Sequence, residues 1–255
     1  MHELQKSRQK ENRSMKQTGM KALILAAGLG TRLAPITNDR PKSLVQVNGK
    51  PILLKQIENL HENGIYDITV VSGYKADILE KTVHGRFPEI KILESVDYAN
   101  TNNMYSAYLA KEGLANHDFL MMNADVFFDA SVIAALLECK AENAIVTDIG
   151  NYLEESMKVV ERDGRLVHIA KDIRPEDALG ASIDVYKFSA RGGTAFFAKC
   201  AEYIEKKGER KLWSEVALDG ILGEVVFRAC PLKGRWLEID NHEDLAAAEA
   251  LFVEG

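Results

Sequence analysis

The chain has 255 residues, a net charge of −6, and 46% hydrophobic and 27% charged residues. That length and apolar content suit one large α/β domain, and the acidic balance excludes a general binder of nucleic acid or anionic membrane, which would need a basic face. No apolar run approaches the ~20 residues that span a bilayer, no apolar signal stretch opens the chain, and Cys139, Cys200 and Cys230 are too widely spaced for a disulfide framework or zinc site, so a cytoplasmic protein with reduced thiols is expected.

Residues 1–19 are polar and charge-rich and are expected to be a leader ahead of a domain spanning 20–255. The apolar run Leu23–Leu25 predicts a buried strand ending in Ala26-Ala27, small residues that permit close approach to the backbone. Gly28-Leu29-Gly30 then allows a tight loop with inward-facing amides, and Arg32 and Lys42 follow as cations. Strand, glycine loop and two cations describe a polyphosphate cradle, although a lone GxG is often only a turn. A dinucleotide fingerprint would need glycine at position 33, which is Leu33, and no Walker A string is present.

Pro51–Glu62 reads as a helix whose apolar stripe includes Ile52, Leu53, Gln56, Ile57 and Leu60. Ile68–Val71 is a strand, Ser72-Gly73-Tyr74 a turn, Ala76–Val83 a helix and Ile90–Leu93 a strand. This alternation predicts a doubly wound, mostly parallel, Rossmann-like sheet, with ligands at the carboxyl ends of the strands beside the glycine loop and Gly73. Asn100, Thr101 and Asn102 can cap a helix over Met104–Lys111, or the amides of Asn100, Asn102 and Asn103 can hold a base or ribose. Phe119–Met122 is a core strand that ends at Asn123-Ala124-Asp125, and Asp129 or Ser131 can cap a helix over Val132–Leu137.

Ala144–Asp148 reads as a strand and Met157–Ala170 as a hairpin turning at Asp163-Gly164. The polar segment from Lys171 to Asp177 is a lid or a surface loop. A strand over Ser182–Phe188, a helix over Thr194–Lys206 preceded by Gly192-Gly193, and a helix from Trp213 through Leu222 follow. Strands are expected over Val225–Ala229 and Trp236–Ile239, then a last helix over His242–Phe252. Glu238 and Asp240 alternate with Ile239, so both carboxylates share one face of the strand, while Asp240 or Asn241 can instead cap the helix. No GxSxG or HExxH string offers a nucleophile or a zinc site.

The string from Gly28 to Pro51 closely resembles the signature of nucleotidyltransferases of the sugar-1-phosphate and phosphocholine type, G-x-G-[ST]-R-[LM]-x-P-x-T…x-P-K-x-L-[VL]-x-[VI]-x-x-[KR]-P, through Gly28, Gly30, Thr31, Arg32, Leu33, Pro35, Thr37, Pro41, Lys42, Leu44, Val47, Lys50 and Pro51. Residues 98–111 resemble the asparagine segment of the phosphocholine cytidylyltransferases, where sugar-phosphate enzymes have a G-[TS]-A-x-A segment. WLEIDNHEDLAAAE, from Trp236, resembles the family's C-terminal segment.

The resemblance implies a GT-A-like sheet with a small acceptor-side β insertion, and transfer of CMP from CTP to a small phosphorylated or phosphonate amine, 2-aminoethylphosphonate or phosphocholine, with release of pyrophosphate. It implies Mg²⁺ held by Asp125, Asp240 and Glu238, phosphate and transition-state contacts from Arg32 and Lys42, and a nucleotide bracketed by Ala26, Ala27, Gly28, Gly30, Gly73, Asn102 and Asn103. A quaternary ammonium favours aromatic rings and a primary one carboxylates. The acceptor half offers Trp213, Trp236 and Tyr186, but also Asp184, Glu215 and Asp219. Asp184 interrupts an apolar strand, which leans toward a primary amine unless it is a structural hydrogen-bonding residue. A sugar-1-phosphate enzyme and a non-catalytic nucleotide-binding domain are the alternatives.

Overall fold

The computed structural model describes residues 18–152 and 155–253. The expected leader lies outside the described residues except for Thr18 and Gly19, and Thr18 already donates its N–H to the Gly64 carbonyl.

Strand β1 (Lys21–Ala26) leads into the glycine loop and a tiny hairpin of β2 (Gln46–Val47) and β3 (Lys50–Pro51). Helix α1 (Ile52–Glu62), β4 (Asp67–Ser72), α2 (Ala76–His84) and β5 (Lys91–Glu94) come next. They are followed by α3 (Asn103–Leu109), α4 (Lys111–Leu114), β6 (Phe119–Asn123), β7 (Val126–Phe128) and α5 (Ser131–Glu138). The second half holds β8 (Ala144–Ile149), the hairpin β9 (Lys158–Arg162) and β10 (Arg165–Ala170), β11 (Gly180–Phe188), α6 (Ala190–Ala201), α7 (Ser214–Asp219), β12 (Arg228–Pro231), β13 (Trp236–Glu238) and α8 (His242–Leu251).

Strands β6, β1, β4 and β5 are neighbours and all parallel. β11 joins β6 antiparallel and continues the nine-stranded sheet toward β8, β12 and the β9–β10 hairpin. The alternation within β1 sorts two cores. Ala22 and Ile24 face Leu53 and Ile57 of α1, Leu79 and Val83 of α2, and Val132 and Leu136 of α5. Leu23 and Leu25 face Met104 and Ala107 of α3, Phe196 and Phe197 of α6, and Leu218 of α7. Helices on both faces leave the carboxyl ends of β1 and β6 as the open edge, where ligands gather on such sheets. A third cluster, including Leu33, Val47, Ile52, Phe127, Ile239 and Phe252, fastens the segment after the glycine loop to α8.

Several elements differ from the expectations. Gly192 and Gly193 lie inside α6 rather than before it. Ser189 caps that helix by accepting from the Gly192 N–H, and a Cβ on Gly193 would lie 2.5 Å from the Phe119 ring. The helix also ends at Ala201 and runs on as a π-turn over Glu202–Lys206. The strand expected over Val225–Ala229 forms at Arg228–Pro231, because that stretch pairs with β8 while Val225 and Phe227 fill the core. Neither Asp129 nor Ser131 caps α5 by its side chain. Asp129 instead grips the Arg235 guanidinium at 2.9 and 3.0 Å, and Ser131 Oγ donates to the Lys233 carbonyl. Asn241, not Asp240, caps α8, in a reciprocal box with Asp244.

Candidate active site

A cavity of about 360 Å³ opens at the carboxyl ends of β1 and β6. The glycine loop forms one wall. Gly30 takes a left-handed conformation (φ 63°) and opens a short turn over Thr31–Leu33. A Cβ there would stand 2.6 Å from Lys42 Cβ, so glycine is required both for the backbone angle and for the close approach of Lys42. The Thr37 hydroxyl donates to the Gly30 carbonyl at 2.9 Å and holds the loop closed.

Lys42 is the cation at the centre. Its Nζ lies 2.9 Å from Asp125 Oδ2 and 2.6 Å from Asp240 Oδ1, and Arg32 reaches Asp240 Oδ1 at 2.9 Å. Burial works against the Lys42 ammonium, but the Asp125 and Asp240 carboxylates outweigh it and hold its pKa well above that of an ordinary lysine. Burial alone would raise Asp240. Lys42 and Arg32 overcome that effect and hold it below the usual carboxylate range.

The two halves of the acidic group come from distant sequence. Asp125 follows β6, and Glu238 and Asp240 come from β13 and the residues after it. β7 and β13 pair antiparallel, with Val126 opposite Glu238, and the Ile239 N–H donates to the Asp125 carbonyl at 2.9 Å. The buried Gln56 of α1 fixes the turn from below, its amide donating to the carbonyls of Asn123 and Val126. Asp125, Glu238 and Asp240 each offer one oxygen, all within 4.8 Å of one another. Burial, then Asp125, Asp184 and Asp240, push Glu238 up to about 9. Asp125 Oδ1 is buried without a hydrogen-bond partner. An all-oxygen group with surplus negative charge and an orphaned carboxylate oxygen fits a hard divalent cation.

The opposite wall is carried by β11 and α7. The pairing of β11 with β8 slips between Ser182 and Tyr186, and Asp184 in that slip is left-handed (φ 57°). Such a bulge re-aims a side chain, and Asp184 lines the cavity, as do Trp213 and Glu215. Burial, then the carboxylates of Glu215 and Asp125, push Asp184 up to about 7.

Of the residues singled out from sequence, Ala26, Ala27, Gly28, Gly30, Arg32, Lys42, Asn102, Asn103, Asp125, Asp184, Trp213, Glu215, Glu238 and Asp240 line this one cavity. Two do not. Gly73 packs behind the glycine loop, where a Cβ would meet the Ala27 carbonyl and Tyr98, both at 2.7 Å. Tyr186 is fully buried behind the wall and bonds to Asp184 and Glu215. Trp236 is also turned away, its indole N–H donating to Asp148. The asparagines are already engaged: the Asn102 N–H donates to the Arg210 carbonyl, and Asn103 Oδ1 accepts from the Ser214 N–H, so the segment anchors the loop that carries Trp213 and Glu215. Sequence reasoning missed Asn123, whose amide donates to Asp184 at 2.9 Å, and named Lys171 only as part of a lid or surface loop, where its Nζ sits 5.0 Å from the centre of the Trp213 ring. Lys171 placed at the end of a hairpin was the available signal. Among the described residues no helix is long and apolar enough to cross a membrane.

The choline-phosphate cytidylyltransferase of Streptococcus pneumoniae is 50% identical over 99 residues, 38% of this chain and 42% of that protein. The CTP:phosphoglutamine cytidylyltransferase of Campylobacter jejuni is 28% identical over 89% of this chain and 98% of its own length. The 2-aminoethylphosphonate cytidylyltransferase of Lancefieldella rimae is 26% identical over 91% of this chain and 93% of its own length. Among solved structures, CTP:phosphocholine cytidylyltransferase from Streptococcus pneumoniae superposes with a TM-score of 0.75 at 27% identity, covering 92% of this chain and 99% of that one. The sequence profile named Nucleotidyl transferase matches residues 21–160, more than half of the chain. The glycine loop, Lys42 and Asp125 all fall inside that match, and the chain belongs to the nucleotidyl transferase family.

Proposed function

We propose that the protein transfers CMP from CTP to a small acceptor that carries a phosphate or phosphonate at one end and an amine at the other, releasing pyrophosphate. One observation carries this reading: a single cavity joins a cationic, phosphate-sized end at Gly28–Lys42 to a carboxylate wall at Asp184 and Glu215. The named activities of the relatives support the choice of cytidine nucleotide.

The acceptor's phosphorus oxygen attacks the α-phosphorus, and the bond from that phosphorus to the leaving pyrophosphate breaks. A phosphate or phosphonate dianion is already nucleophilic, so catalysis rests on alignment and charge neutralisation rather than on a protein base. Ala26, Ala27 and Gly28 line the nucleotide side. Arg32 neutralises the β- and γ-phosphates. Lys42 neutralises charge at the α-phosphate or on the acceptor oxygens. Asp125, Glu238 and Asp240 would hold a divalent cation, Mg²⁺ in this reading, which supplies charge neutralisation between the two reactants. Asp184 and Glu215 receive the acceptor's nitrogen end.

Pyrophosphate release is the test, with CTP, UTP, dTTP and GTP each offered phosphocholine, 2-aminoethylphosphonate and glucose 1-phosphate in the presence of Mg²⁺. Turnover with CTP and an amine acceptor is expected, lost in Lys42→Ala. Turnover only with UTP or dTTP and the sugar phosphate would overturn the acceptor class. Nucleotide binding without turnover on any acceptor would overturn the catalytic reading.

A further inference from the structure

The wall behind the acceptor end contains one hydrogen too few. Tyr186 Oη lies 2.8 Å from Asp184 Oδ1 and 2.8 Å from Glu215 Oε1. A phenol carries a single hydrogen and can donate to only one of them. The other short oxygen–oxygen contact needs a hydrogen from the carboxyl side. The neighbouring donors do not place a hydrogen between them: Asn123 Nδ2 donates to Asp184 Oδ2 at 2.9 Å, Ser214 Oγ donates to Glu215 Oε1 at 3.0 Å, and Ser182 Oγ lies 3.4 Å from Tyr186 Oη and 3.5 Å from Asp184 Oδ1. Glu215 is 3% exposed, yet it lines the cavity, and the bonds from Tyr186 and Ser214 both converge on its Oε1.

We propose that Asp184, Tyr186 and Glu215 form a seat for one positive charge, filled by a shared proton in the free protein and by the primary ammonium of the acceptor in the complex. Binding is then an exchange: the ammonium enters with its three N–H donors, and one proton leaves to solvent. This rests on the reading above that the acceptor carries an amine.

The charges around the seat favour the exchange. Tyr186 shares its strand, and burial with the adjoining carboxylates holds its phenol protonated, so the exchangeable proton is the carboxyl one. Asp125 beyond β6 and Glu238 in β13 face Asp184 and are also acidic. The cavity's cations are held away: Lys42 on Asp125 and Asp240, Arg32 on Asp240, and Lys171 over Trp213. Glu155 adds a further acid to the lining. A quaternary ammonium lacks N–H groups and depends on aromatic faces. Of the two aromatics in the lining, Trp213 already carries Lys171, and Tyr98 belongs to the glycine-loop side against Gly73.

The experiment is titration calorimetry of the Mg²⁺- and nucleotide-loaded protein with 2-aminoethylphosphonate, in paired buffers of different ionisation enthalpy. At pH 6 the wild type should release about one more proton per acceptor bound than Asp184→Asn or Glu215→Gln does, with the difference vanishing above about pH 8. The acceptor's own phosphonate contributes equally to all three proteins. Phosphocholine should bind at least about tenfold more weakly. If the variants bind too weakly to titrate, infrared difference spectra of the wild type replace them: a carboxylic-acid carbonyl band should disappear on acceptor addition. Acceptor binding with no proton difference, or with that band unchanged, would overturn the exchange. Equal or tighter phosphocholine binding would overturn the primary-ammonium assignment. If neither acceptor binds, the acceptor class proposed above is wrong, which is a separate failure.

Discussion

Replacing Lys42 by Met keeps an unbranched side chain out to its ε position and removes the ammonium that joins Asp125 to Asp240. The three side chains are 13%, 26% and 22% exposed, so the group is mostly shielded from water. At an effective dielectric of ~20, contacts of 2.9 and 2.6 Å correspond to about 6 kcal/mol of raw attraction each. Desolvation of the ammonium cancels much of this, and removing one partner from a buried pair leaves a net cost of about 3–5 kcal/mol. Asp240 retains Arg32, while Asp125 is left without a cation. Urea unfolding in the presence of a chelator should therefore show Lys42→Met destabilised by about 3–5 kcal/mol. Added Mg²⁺ should stabilise the variant more than the wild type, because ligand binding to the folded state adds to stability and the acidic trio no longer has its internal counter-ion. Turnover should still fall by about a hundredfold or more, since Lys42 is also the cation proposed to meet the reacting phosphates. A loss under about 1 kcal/mol in chelator, or an identical Mg²⁺ response in both proteins, would refute this account of the charge balance.

Gly193→Ala would ordinarily stabilise a helix by about 1 kcal/mol. Here the new Cβ meets the Phe119 ring at 2.5 Å, so a loss of about 1–3 kcal/mol is expected in thermal or urea unfolding, with acceptor and nucleotide kinetics unchanged. Asn241→Ala removes the cap of the helix that begins directly after Asp240. It should cost about 1 kcal/mol and raise the Mg²⁺ concentration for half-maximal activity, and an unchanged Mg²⁺ requirement would show that the cap does not position Asp240.

What could be read from sequence was mostly local. The β1 run, the glycine loop and the alternation of strands and helices follow from nearest neighbours, and the elements fall close to their expected places. The misreadings share a physical cause, a partner far along the chain. Asp129 looks like a helix cap until Arg235 arrives from 106 residues away. Gly192-Gly193 looks like a break until Asn143 and Phe119 press against it. Gln56 falls in an apolar stripe by spacing, but it is buried for its amide, which holds the turn bearing Asp125. Tyr186 was expected to touch the acceptor, and its place in an apolar strand gave no sign that it would sit behind Asp184. β7 is only three residues long, too short for periodicity to register, and it exists because β13 pairs with it.

That short ribbon has a consequence for how the protein comes into being. The glycine loop and the four parallel strands β1, β4, β5 and β6 all precede residue 124, although Leu33 and Val47 after the loop pack on Ile239 and Phe252. The acidic trio needs later residues as well: two of its three carboxylates reach Asp125 only through the pairing of Trp236–Glu238 with Val126–Phe128. A nascent chain stalled before Trp236 would hold the glycine loop without its support from α8, and Lys42 with a single aspartate of the trio. The acidic trio is thus complete only once the last segments of the chain have docked.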